Sequence, residues 1–457
     1  MAYRSENPYN GKLLKSFDEL TDSELAGKLE LSHKAFHTWQ ELTLDERLNY
    51  LPKLSDCLSV QLEQHGSLIS AEMGKPIKQS LAEIEKCRLT CDYYYKNAAE
   101  LLKPENHDSN ANESYVVFQP TGIIYGIMPW NFPYWQVFRF LLPNLIVGNG
   151  VLLKHASNVP QCAQGIETLL ADAGFPEGIF QNLFINYEQS EWLIGHEYIT
   201  GVSFTGSEAA GSRVASLSGK HIKKTVLELG GSDPFIVLKD ADLEKLTDQA
   251  VFARMQNAGQ SCIAAKRFFV QNEVYAEFLE KFTNKVEQLK LGDPFNMDTD
   301  MGPMASESLL SELDMQVKKS ILNGGRLITG GKRHQEGSLL YEPTIITTSN
   351  MDIPVCTEET FGPVAVVIGF SDIDDVIQMA NSSCFGLGAS VWSKNINLAK
   401  EVALKIESGM VTINGIVKSD PALPFGGTKK SGYGRELAAI GFKEFSNQKT
   451  ITIHYIN

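Results

Sequence analysis

The sequence predicts an α/β protein with two wound sheets and a smaller strand element. From Gly122 onward, short β-branched apolar runs alternate with helical stretches of about 10–15 residues, the pattern of βαβ units and a buried parallel sheet. A second series of the same kind begins near residue 243 and continues to about residue 420. The chain has 457 residues, enough for about three domains, or two with an elaboration, at roughly 150 residues each. A chain of this length buries a large core without disulfides.

The first hundred residues read as helical. Thr21-Asp22-Ser23-Glu24 offers a cap, and Leu25, Leu29 and Ala35 follow it. A second helix runs from about Asp45 to Met73. Lys75-Pro76 breaks it, and a third stretch spans Ile77 to Leu102. Residues 103–114 are polar, lack an apolar period and read as an exposed loop. Strands are expected at Ile123–Met128, Val151–Lys154, Phe180–Ile185, Val202–Thr205 and Thr225–Leu229. Helices at Gln136–Val147, Pro160–Ala173 and Glu208–Leu217 separate them. The second series opens with a helix at Leu243–Asn257, a strand at Arg267–Val270 and a helix at Val274–Leu289. Lys449 to Tyr455 alternates β-branched and polar residues, as an exposed or intermolecular strand does.

Composition excludes several function classes. Lys+Arg 41 against Asp+Glu 55 leaves a net charge of −14, which argues against nucleic acid or an anionic membrane as main partner. Hydrophobic content of 43% and charged content of 21% fit a soluble globular protein. Met1 to Pro8 is polar, unlike a signal peptide. The greasiest region, Val137–Leu153, is interrupted by Arg139, Pro143, Asn144 and Asn149, so no membrane span is expected. The 7 Cys are scattered, without CxxC or zinc spacing. No metal site is expected, and the compartment reads as reducing and cytoplasmic. Cys87 and Cys91, four apart in a helical stretch, read as incidental buried thiols rather than a redox or metal pair.

Four segments carry chemistry. Cys262 sits in Asn257-Ala258-Gly259-Gln260-Ser261-Cys262, where small polar neighbours leave a thiol reachable; alone, a free Cys is more often buried and inert. Glu228 ends an apolar strand before Gly230-Gly231, and a desolvated carboxylate there has a raised pKa suited to a general base; a turn cap is the bland alternative. Pro129-Trp130-Asn131-Phe132-Pro133 holds an Asn amide, a good oxyanion donor, in a rigid loop with aromatic walls; packing in a turn is the alternative. Phe204-Thr205-Gly206-Ser207 joins a strand to a helix N-terminus, which favours phosphate, but GxGxxG is absent.

Together these segments resemble the NAD(P)-dependent aldehyde dehydrogenase superfamily. So do Leu153-Lys154, Glu358-Glu359-Thr360-Phe361-Gly362-Pro363, and Pro424-Phe425-Gly426-Gly427 with Lys430-Ser431-Gly432-Tyr433-Gly434-Arg435-Glu436. The motifs cover nearly the whole chain in the family's order. The resemblance implies an aldehyde dehydrogenase-like α/β fold. A Rossmann-type cofactor-binding domain would take residues 1–103 and 122–230, and a second α/β catalytic domain residues 231–430. Strands at 104–121 and 445–457 would form a small β element for oligomerisation. The latter strands would pair between subunits, giving a homodimer or homotetramer.

The resemblance also implies roles. Cys262 would be the nucleophile, Asn131 with the Cys262 N–H would hold the oxyanion, and Glu228 would activate water. Relatives that pass the acyl group to coenzyme A generally lack a Glu at this position, so hydrolysis to a free acid is favoured. Lys154 would approach the adenosine ribose, and Gly206 and Ser207 the pyrophosphate. Trp130 and Leu229 would line the cofactor, and Glu359 and Phe361 the nicotinamide ribose. Members preferring NAD often carry Glu where Ser157 stands; Ser157 removes a charge that repels a 2′-phosphate, so NADP is expected to be preferred, with NAD possible.

Within the superfamily the chain looks most like bacterial succinate-semialdehyde dehydrogenases. Arg139, eight residues past Asn131, would grip a substrate carboxylate, with Ser419 beside it; an ion pair to a neighbouring carboxylate is the alternative. Trp135, Phe132 and Phe425 would wall a short aliphatic chain, and Ser261 would border the channel. Many relatives place a second Arg six residues before the Cys. Here that residue is Gln256, with Arg254 nearby, so the clamp is expected either to be weaker or to be completed by another group such as Lys266. Ala264 stands where some relatives carry a second Cys, so a blocking disulfide there is excluded. Oxidation of succinic semialdehyde to succinate is therefore expected. A glutarate-semialdehyde or broad-specificity enzyme, and a non-catalytic structural member, stand as alternatives.

Overall fold

A computed structural model describes residues 3–456. Two sheets build the site between them. In the first, Ile123–Met128, Gly150–His155 and Phe180–Asn182 lie side by side in parallel. On the other side of Ile123–Met128, Ile199–Thr205 and Lys224–Glu228 continue the parallel sheet. Gly432–Tyr433 closes that edge antiparallel to Lys224–Glu228. The strand order reverses between Ile123–Met128 and Ile199–Thr205. A crevice opens beyond their carboxyl ends, the place where wound sheets bind ligands. The helix Trp135–Val147 is buried on every face, which accounts for its apolar run. Its Phe138, Leu141 and Leu145 share a core with Leu54, Ile84 and Leu169.

The second sheet has seven strands in the spatial order Arg326–Thr329, Thr344–Thr347, Val364–Phe370, Ala265–Gln271, Asp233–Val237, Gly388–Trp392, Met410–Ile413. Only the first pairing is antiparallel. Phe278 and Phe282, one turn apart on the helix Asn272–Glu287, cover it at Phe268. The loops entering Ala265–Gln271 and Val364–Phe370 reach the crevice of the first sheet through Cys262, Glu359 and Phe361. The capping box of Thr21 and Glu24 starts the helix Asp22–Trp39 as the sequence predicts.

Several expectations are corrected. The stretch Asp45–Met73 is three helices, Leu44–Leu48, Tyr50–Val60 and Leu62–Met73, jointed at Asn49 and Gln61. The helix Tyr187–Gly195 and the buried strand Asp233–Val237 were not anticipated. Residues 103–114 are not wholly loop, since Glu105–Asn106 and the start of Glu113–Pro120 are strands. The C-terminal strand Ser446–Ile453 and the segment Tyr115–Gln119 do not await a partner subunit to pair. They pair with each other within the chain, in register from Ser446 opposite Pro120 to Ile453 opposite Glu113. Cys87 and Cys91 are buried and free, as incidental core thiols. No helix among the described residues is long and apolar enough to cross a membrane.

Candidate active site

The helix Trp135–Val147 has no side-chain cap of its own. Glu83, from the helix Ile77–Leu101, replaces it. Its Oε1 accepts from the Tyr134 N–H at 2.9 Å and the Trp135 N–H at 3.0 Å. Its other oxygen is ion-paired to the buried Lys75, whose Nζ lies 3.7 Å from the Phe132 ring centroid. This fixes the loop Pro129–Pro133 and the first turns of the helix, from which Trp135, Gln136 and Arg139 project.

Asn131 is tied to the cysteine turn. Its Nδ2 donates to the Gln260 carbonyl at 3.1 Å, and Asn257 Nδ2 donates to the Asn131 carbonyl at 2.9 Å. The turn itself is strained. Asn257, Ala258 and Gly259 have φ of 54°, 51° and 70°, a left-handed run that only the last adopts without cost. A Cβ at Gly259 would come within 2.3 Å of the Gly362 carbonyl oxygen, so the close approach requires glycine. Arg254 holds the strain in place. Fully buried, it donates to the carbonyls of Val364 at 2.6 Å, Thr360 at 2.9 Å and Gly259 at 3.3 Å.

Lys266 corrects an expectation. Its Nζ donates to the Ser261 and Cys262 carbonyls at 2.9 and 2.6 Å and lies 3.6 Å from Glu359. It is committed to the turn and does not line the channel as a clamp residue. By holding both carbonyls it also leaves the Cys262 N–H pointing elsewhere, and that N–H has no protein acceptor among the described residues. Burial pushes the Cys262 thiol up to about 11, against the opposing pull of Arg139 and then Lys266.

Glu228 is 3% exposed, and neither carboxylate oxygen has a hydrogen-bond partner among the described residues. A cap would have one. Burial raises its pKa well above the ordinary carboxylate value, and the nearby Glu436 raises it further; Arg139 and Arg435 oppose them. Arg139 is ion-paired to Glu436, so the contact set against a substrate clamp is present. The pairing engages its Nε edge, while its buried Nη2 has no hydrogen-bond partner among the described residues.

Apart from Lys266, every expected site residue lines one of three adjoining cavities. Trp130, Asn131, Gly206, Ser207, Glu228, Leu229, Glu359 and Phe361 line one of about 380 Å³. Trp130 meets Phe361 edge-on at 5.7 Å. Lys154 and Ser157 line a second of about 220 Å³, which shares Trp130 with the first. Phe132, Trp135, Arg139, Ser261, Ser419 and Phe425 line a third of about 340 Å³. Cys262 borders both the first and the third. Lys86 and Gln136 also line the third and were not anticipated. Neither lies in a local motif; only their helical spacing from Glu83 and Arg139 could have pointed to them.

The cleft fits a dinucleotide. Ser207 caps the helix Glu208–Lys220, whose free N–H groups suit a pyrophosphate. Thr205 Oγ1 is buried at its edge and has no hydrogen-bond partner among the described residues. A Cβ at Gly230 would come within 2.2 Å of Glu359 Oε2, so this wall is shaped by the absence of a side chain.

Comparison with known proteins agrees with this geometry. Residues 1–451 match the aldehyde dehydrogenase family model. The chain is 45% identical over 453 residues to a probable succinate-semialdehyde dehydrogenase [NADP(+)] of Synechocystis sp., covering 99% of this chain and 100% of that protein. It is 42% identical over 456 residues to succinate-semialdehyde dehydrogenase [NADP(+)] 1 of Mycobacterium tuberculosis, covering 99% and 100%. A crystal structure of succinic semialdehyde dehydrogenase from Streptococcus pyogenes, in complex with NADP+, superposes with a TM-score of 0.97 at 39% identity, covering 99% and 100%. The chain belongs to the aldehyde dehydrogenase family.

Proposed function

We propose that the protein oxidises succinic semialdehyde to succinate with NADP+. The observation that carries this reading is Cys262 standing between a dinucleotide-shaped cleft and a cation-lined channel, beside an unpartnered buried carboxylate. The named relatives and the NADP+ complex support both substrate and cofactor.

Cys262 gives up its thiol proton to solvent as Sγ bonds to the aldehyde carbon, and the oxyanion left when the C=O π bond opens is held by Asn131 Nδ2 and the free Cys262 N–H. NADP+, when bound in the cleft lined by Gly206, Ser207, Glu359 and Phe361, would supply the hydride acceptor for oxidation of the thiohemiacetal to the thioester. Glu228 then takes a proton from water, which adds to the thioester carbonyl and releases succinate and the thiol. Arg139 faces the substrate carboxylate, and Phe132, Trp135 and Phe425 exclude water around the short chain. Lys154 and Ser157 would hold the ribose 2′-phosphate: among the described residues that line their pocket none is a carboxylate, and burial lowers the Lys154 ammonium against the opposing pull of Glu19. Glu359, which lines the same cleft as Gly206 and Ser207, would meet the nicotinamide ribose. A cytoplasmic, reducing compartment keeps Cys262 active, and the exposed edge of Ser446–Ile453 suits assembly into a dimer or tetramer.

Steady-state kinetics test the reading. NADP+ is expected to be used at least about tenfold better than NAD+ by kcat/KM, and succinic semialdehyde well above butanal. A tenfold preference for NAD+, or for the uncharged aldehyde, overturns it. Ser157→Glu is expected to lower kcat/KM for NADP+ by about 100-fold while NAD+ changes by less than about threefold, because a carboxylate repels only the 2′-phosphate.

A further inference from the structure

We propose that Lys86 is a specificity-determining residue of this site, a second cation that grips the substrate carboxylate together with Ser419 and Arg139. The inference rests on the anionic-aldehyde reading and names the group that supplies the charge Gln256 lacks.

Lys86 lies one turn past Glu83 on the helix Ile77–Leu101 and lines the same cavity as Cys262, Gln256 and Arg139. Its Nζ donates to Ser419 Oγ at 2.6 Å and sits 4.0 Å from the Trp135 ring centroid. Trp135 Nε1 donates to the same Ser419 oxygen at 2.8 Å. Two donors on one hydroxyl oxygen occupy its acceptor sites, so its own proton must point elsewhere, and no protein acceptor among the described residues receives it. Three donors therefore converge without an acceptor: the remaining Lys86 N–H groups, the Ser419 O–H and Arg139 Nη2. A carboxylate accepts from all three kinds.

The charge balance points the same way. Arg139 is already ion-paired to Glu436, whereas no carboxylate lies within ion-pair distance of Lys86 among the described residues. Glu83, the one acidic residue lining this cavity among the described residues, spends its oxygens on Lys75 and on the N–H groups of Tyr134 and Trp135. The groups facing Lys86 are Glu83 and Cys87 on its own helix, Arg139 on the helix Trp135–Val147, and Asp420 beside Ser419. Burial, then Arg139, lowers the ammonium to about 8. A desolvated cation without a counter-ion gains most from an anionic ligand.

The test is the ratio of kcat/KM for succinic semialdehyde to that for butanal, in the wild type, Lys86→Met and Lys86→Arg. The Met variant is expected to lower the ratio at least about tenfold, chiefly through KM for the anion, and the Arg variant to keep it within about threefold. In the wild type the ratio should fall as pH rises from about 7 to about 9, because the free enzyme loses the Lys86 proton; in Lys86→Arg it should stay flat. The wild-type profile needs no variant to fold. A Met variant whose ratio stays within about twofold of the wild type overturns the role of Lys86 while leaving the substrate reading intact. A wild type that does not prefer succinic semialdehyde over butanal overturns both.

Discussion

Replacing Glu228 by Gln is expected to separate the two halves of the reaction. The variant should release a burst of about one NADPH per active site and then slow in the steady state by about 10²–10⁴-fold. In the proposed mechanism only water activation depends on this carboxylate; thiol attack and oxidation do not. The pH dependence has a fixed sign. Glu228 accepts a proton only when ionised, and burial with Glu436 raises its pKa, so the hydrolytic limb should climb with pH and vanish in the variant. Stability should move oppositely. A carboxyl whose folded pKa is raised contributes stability below its unfolded value, lost as pH rises. The neutral Gln variant should therefore melt above the wild type at neutral pH. Hydrolysis at the wild-type rate would place the base elsewhere.

Cys262→Ala is expected to lower kcat by at least about 10³-fold with no burst, because no other nucleophile among the described residues borders both cavities. NADP+ binding should persist, since the proposed dinucleotide contacts lie mainly on the first sheet. The two variants thus fail differently: one before the first hydride transfer, the other after it. A Cys262→Ala protein that still shows a burst would remove the thiol from the mechanism.

The residues proposed as catalytic were legible as candidates because each lies in a short segment whose local chemistry is unusual. Glu228 is a charge at the end of an apolar strand, and Asn131 lies between two prolines. Both fall at carboxyl ends of strands in the first sheet, which the alternation of strands and helices already implied. What was not legible depends on contacts between distant segments. The pairing of Arg139 with Glu436 joins residues nearly three hundred positions apart. Lys86 looks like any lysine on a long helix until Ser419 is brought to it. Lys266 is near enough to Cys262 in sequence to be a candidate for the clamp, yet from the second position of the strand Ala265–Gln271 it turns toward the carbonyls of the cysteine turn. The C-terminal strand had the pattern of an edge, and pattern alone does not say whether the partner strand belongs to the same chain.

In the proposed mechanism succinic semialdehyde is oxidised on the Cys262 sulfur and released by water activated at Glu228. Mass spectrometry of Glu228→Gln, quenched in acid after mixing with NADP+ and succinic semialdehyde, tests it most directly. The predicted result is a gain of one succinyl group on the peptide carrying Cys262, appearing with the burst of NADPH and absent without NADP+. NADPH formation with no adduct on that peptide, or with the adduct on another cysteine, would contradict it.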